Sequence, residues 1–111
     1  MRTHPCKRPD GSVASFEISN VIPWSMGPMR RVLASVAGVS DIERTNNGGD
    51  DRWTFRYLGR VCVVNEPWGD SSRYWVGPAE SDAALDMSPV HDAFCAYRFL
   101  LGLRPSVKEG A

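Results

Sequence analysis

Arg52-Trp53-Thr54-Phe55-Arg56-Tyr57-Leu58-Gly59-Arg60-Val61-Cys62-Val63-Val64-Asn65-Glu66 is the stretch on which the fold turns. From Arg52 to Tyr57 it alternates cleanly. Trp53, Phe55 and Tyr57 fall on one face and Arg52, Thr54 and Arg56 on the other, the pattern of a strand with one buried and one wet face. Leu58-Gly59 allows a tight turn. From Arg60 to Glu66 the apolar residues occupy both faces, Val61 and Val63 against Cys62 and Val64, which predicts a central strand covered on both sides.

Working outward, Asn46-Asn47-Gly48-Gly49-Asp50 reads as a turn, because asparagine and glycine tolerate positive φ at low cost. Before it, Val39–Thr45 is a looser strand with Ile42 as its apolar residue. Val13, Phe16 and Ile18 mark a strand over Ser12–Ser19. After Pro67, Trp68–Ser72 reads as a loop, Arg73-Tyr74-Trp75-Val76 as a strand closed by Gly77-Pro78, and 79–87 as a polar connection. Met29, Val32, Leu33 and Val36 lie at helical spacing, with Ser25 as N-cap, Pro28 in the first turn and Gly38 as the stop. Val90, Phe94, Tyr97 and Leu101 form a second stripe, opened by Ser88-Pro89 and ended by Gly102.

The expected order is β-α-β-β-β-β-α. This is an α+β fold, an antiparallel sheet of four to five strands with two helices packed on one face. Residues 1–11 are expected as a flexible arm, 12–103 as the single domain and 104–111 as a flexible tail.

The 111 residues carry 13 basic and 13 acidic side chains, and 42% are hydrophobic. Length allows one domain, and the apolar content with zero net charge excludes global disorder. No apolar run approaches the ~20 residues a bilayer needs. The N-terminus lacks an apolar signal segment, and the odd set Cys6, Cys62 and Cys95 is a poor disulfide framework, so a reduced, cytoplasmic protein is expected. Zero net charge disfavours nucleic acid and membrane as partners. The helix–strand order partly fits a double-stranded-RNA-binding module. However, its closing helix opens on phosphate-gripping lysines, whereas here the turn reads Ser88-Pro89-Val90-His91-Asp92.

Four groups of residues carry candidate chemistry. Trp68, Asp70, Arg73, Tyr74 and Trp75 concentrate the residue types of binding hot spots and make a binding module for a small ligand or protein partner the leading expectation. They also fit a loop stapled to the core. Arg52, Arg56 and Arg60 suggest an anion-binding sheet face, which Asp41 and Glu43 next door could neutralise. Glu66, Asp70 and His91 would be the acid–base set of a small hydrolase. His91 and Cys95, four apart on a helix, could form a thiol–imidazole pair or half of a metal site completed by His4 and Cys6. The plain alternative is a surface histidine beside a core cysteine. No cofactor or metal is expected. A homodimer is expected, since an uncovered sheet face or edge on a small domain is commonly closed by a second copy.

Overall fold

The computed structural model describes residues 2–19, 26–45, 51–66, 73–96 and 107–108. In chain order the elements are β1 (Arg2–Lys7), β2 (Val13–Ser19), α1 (Met26–Ala34), β3 (Val39–Arg44), β4 (Asp51–Tyr57), β5 (Arg60–Asn65), β6 (Arg73–Pro78), α2 (Ser88–Ala96) and β7 (Val107–Lys108). The α+β class, the antiparallel pairing and the two helices agree with the sequence pattern. The strand count and order do not. The described strands form one seven-stranded sheet in the order β3-β4-β5-β6-β2-β1-β7, antiparallel except for the β1–β7 pair. Residues 2–7, expected in a loose arm, pair along the whole of β2, and Val107–Lys108, expected in the tail, pair with β1. Pro5 and the mixed charges of the arm hid this strand, because its inward residues are Thr3 and Pro5 rather than large apolar ones.

Both helices lie on one face of the sheet. Inward residues of four strands meet the helical stripes: Phe16 and Ile18, Trp53, Phe55 and Tyr57, Cys62 and Val64, Tyr74 and Val76 against Met29, Val32 and Leu33 and against Val90 and Phe94. Phe16 sits at the centre of the α2 contact, its ring centroid 5.1 Å from that of His91 and 5.6 Å from that of Phe94. Leu85 and Met87 also belong to this core. The polar composition of 79–87 concealed them.

Local chemistry explains the boundaries. The β4–β5 hairpin has a two-residue loop with both Leu58 (φ 52°) and Gly59 (φ 82°) in the left-handed region, a type I′ turn whose twist suits flanking strands. Helix α1 ends where the Ser35 hydroxyl donates to the Val32 carbonyl at 2.6 Å, and Gly38 takes its positive φ in the turn beyond rather than at the helix end. The candidate cap Ser25, the Asn46–Asp50 turn, and Tyr97, Leu101 and Gly102 lie outside the described residues. At the sheet edge, β3 carries exposed Ser40, Asp41, Glu43 and Arg44, with a bulge at Asp41 (φ 52°). Charge and bulge together discourage edge-to-edge pairing.

The start of α2 is capped by a residue the sequence pattern did not single out. Asp86 Oδ1 accepts from the Ser88 amide (2.9 Å), the Ser88 hydroxyl (2.6 Å) and the Val13 amide of β2 (3.0 Å). One carboxylate thus caps the helix and ties it to the sheet, and Ser88, expected as the cap, is instead the first helical residue. These bonds, led by the Ser88 hydroxyl, hold the Asp86 carboxyl below the usual range. Asp82 and Asp10 are lowered too, chiefly by bonds from the Ala84 amide and the Ser12 hydroxyl. A carboxylate lowered by folding stabilises above its unfolded pKa, and that stability is lost as pH falls through the folded value. We expect Asp86→Ala to cost about 1–2 kcal/mol at neutral pH. Wild type should lose stability below about pH 4, and less steeply in Asp86→Asn. Denaturant unfolding at pH 7 and pH 3 checks both.

Candidate binding surface

Alternation along the strands places a second set of side chains on the sheet face that carries no helix. Cross-strand register aligns His4, Glu17, Trp75 and Asn65 in one row, and Ser15 lies near Gly77, which aligns with Val63, Thr54 and Glu43 in the next. Arg56 and Val61 form a third pair, with Val61 45% exposed. Val63 is nevertheless buried. The expectation that β5 is covered on both sides thus holds in part: Val63 is buried, Val61 is exposed, and among the described residues the helices form the one covering layer.

Trp75 is half-buried and lies on this open face. A Cβ added at Gly77 would come within 2.7–2.8 Å of two carbons of the indole and within 2.9 Å of the Ser15 Cβ. Any side chain at 77 would therefore collide with the indole and with Ser15. Tyr74, its neighbour, points the other way and is 1% exposed. It is a core residue, which corrects its assignment to the partner-binding set. Trp68 and Asp70 lie outside the described residues. Among the described residues, the outward part of the aromatic segment is Trp75 with Arg73.

Arg73 donates toward Glu17 at 3.4 Å, and its second terminal nitrogen lies 3.4 Å from His4 Nε2, which is 2.8 Å from the Ser19 hydroxyl. Arg56 pairs with Asp41 across the bulge at 3.4 Å, with both side chains half-exposed or more. Arg52 differs: its Nε lies 2.7 Å from Glu66, whose side chain is 6% exposed. Arg60 shares the parity of Cys62 and Val64, so it belongs to the other side of the sheet, where it binds Asp82. The expected face of Arg52, Arg56 and Arg60 is corrected accordingly. The outward arginines are Arg56, whose partner Asp41 is exposed, and Arg73, whose partner Glu17 is half-buried, and both ion pairs are long.

No family model, curated protein or solved structure matches this chain.

Of the expected acid–base set, Glu66 and His91 are buried and Asp70 lies outside the described residues. His91 is fully buried, packed on Phe16, with Nε2 3.4 Å from Cys95 Sγ and Nδ1 3.5 Å from Asp92. This corrects the expectation of a surface histidine. Thr3, buried beneath α2, is 3.4 Å from the same sulfur. His4 and Cys6 lie on the opposite face of β1 from Thr3, so they do not complete a metal set with His91 and Cys95. Among the described residues, no three His, Cys, Asp or Glu side chains converge as metal ligands. No helix there is long and apolar enough to cross a membrane.

The thiols differ sharply in environment. Burial pushes Cys62 up to about 11, and it is enclosed in the core, whereas Cys6 is exposed. Since the thiolate is the nucleophile, iodoacetamide at pH 8 should modify Cys6 in the native protein and Cys62 only after denaturant. Peptide mass mapping after timed labelling reads this directly.

Proposed function

We propose that the protein is a non-catalytic binding module that uses the open face of its sheet to hold a carboxylate-bearing partner through Arg73 and Arg56. The observation that carries this reading is the weakness of their present pairing. The exposed Arg56–Asp41 pair contributes only ~0–1 kcal/mol, and the Arg73–Glu17 contact is long and half-exposed, so an incoming carboxylate can replace Asp41 or Glu17 at modest cost. A guanidinium fork then gains directional bonds. Glu17, Asp41 and Glu43 stand among the arginines, which disfavours a dense polyanion such as nucleic acid and favours isolated carboxylates. The enclosure of His91 and the engagement of Glu66 by Arg52 support a non-catalytic role.

The test titrates a glycine-spaced peptide carrying two isolated glutamates into the labelled full chain. Saturable shifts at Arg73, Trp75 and Arg56 are expected, weakening between about 50 and 200 mM salt and lost in Arg73→Gln with Arg56→Gln. Absence of shifts at low salt, or shifts unchanged in the variant, overturns the reading.

The interleaved acids favour one second reading. A face that carries both arginines and acids is complementary to a two-fold copy of itself. A dimeric mass by light scattering that becomes monomeric in Arg73→Glu would support self-association on this face.

A further inference from the structure

Beyond the arginines, a groove of about 440 Å³ opens between Trp75, Ser15, Arg8 and the 78–83 loop. We infer that this groove is a binding site for a neutral carbohydrate, with one sugar ring resting on the Trp75 indole. It stands independently of the carboxylate reading, since neither Arg56 nor Arg73 lines it.

Three features point to that ligand class. The first is size: ligand pockets generally span ~300–1,000 Å³, and this one admits one or two pyranose rings. The second is the platform. The indole packs over Gly77, so the ring is partly fixed before a ligand arrives. The C–H face of a pyranose packs on the electron-rich face of an aromatic ring. Pro78 and three alanines (14, 79 and 83) complete an apolar wall.

The third feature is the polar inventory. Arg8 binds the Ser12 hydroxyl (3.1 Å) and the Leu85 (2.8 Å) and Asp82 (2.7 Å) carbonyls, which fixes its guanidinium while leaving part of its donor fork unused. Ser15 and Ser81 line the groove, and their hydroxyls have no partner among the described residues. Asp82 accepts from Arg60 and from the Ala84 amide, and its oxygens keep further acceptor capacity. The groove therefore offers donors and acceptors together, and its carboxylate is already offset by Arg60. An anion would meet Asp82, and a purely apolar ligand would leave these groups unpaired. A ring of hydroxyls, each both donor and acceptor, satisfies them all. A second groove of about 450 Å³ shares Pro78, Ala79, Ser81 and Asp82 and reaches Arg60 and Val61, so a longer saccharide has adjoining surface.

The experiment is a set of titrations of the full chain, followed by amide and indole N–H spectra, with glucose, galactose, N-acetylglucosamine and cellobiose to about 50 mM, which reveals a Kd as weak as ~10 mM. At least one sugar is expected to shift the Trp75 indole and the Ser15, Ala79 and Ala83 amides saturably. Trp75→Ala and Ser81→Ala should each weaken it about tenfold or more. Ser81 is exposed, so its variant tests the site without disturbing the fold. No saturable shift with any of the four sugars, or shifts that persist in both variants, overturns the inference. So does saturable binding of benzoate to these resonances in place of every sugar.

Discussion

Phe16→Ala is expected to lower stability by about 3–5 kcal/mol, a large part of what holds a domain of this size together. The side chain is 1% exposed and touches both His91 and Phe94, so truncation opens a cavity between β2 and α2. It also strips the aromatic edge from a fully buried imidazole. Urea unfolding at neutral pH measures the loss, and Phe16→Leu should recover much of it by refilling the volume. If Phe16→Ala cost less than about 1 kcal/mol, the β2–α2 contact would not be a core contact.

Arg52→Ala is expected to cost about 2–4 kcal/mol, more than any other arginine on β4, β5 or β6. Glu66 is nearly enclosed, and losing the guanidinium beside it leaves a carboxylate with weakened compensation away from water. Arg56→Ala removes an exposed pair and should fall within about 0.5 kcal/mol of wild type. The contrast within one strand is the test. Equal effects at 52 and 56 would mean that burial of Glu66 does not set the energetics. In the double variant Arg52→Ala with Glu66→Leu, part of the loss should return.

Much of this architecture is legible in the residues, and the exceptions have physical causes. The β4–β5 hairpin reads directly, since alternation and a Leu-Gly loop are local signals. The stripes Met29–Val36 and Val90–Phe94 likewise locate both helices. β1 escapes because an edge-side strand needs few large apolar residues, and Thr3 is buried through a polar contact with Cys95. Strand parity at Arg60 could have been counted from Cys62, which would have placed it opposite Arg56. Tyr74 and Trp75 are alike in composition, and only the register with β2 tells which one faces the helices. The binding groove was illegible because Arg8, Ser15, Trp75 and Asp82 come from four separate stretches of chain.

The sheet order also sets a timetable. The β1–β2 hairpin, synthesised before the other described strands, does not add to the next strand in the chain but inserts beside β6, where Phe16 pairs with Val76. The segment from β3 to β6 can assemble from neighbour to neighbour, whereas Phe16 and Ile18 have no sheet to join until residue 78 has been synthesised. Their covering helix α2 comes later still. Long-range closure of this kind slows folding toward the millisecond-to-second range. The apolar face of the β1–β2 hairpin therefore waits in water while β3 to β6 are synthesised, which leaves it open to chaperone capture over that interval.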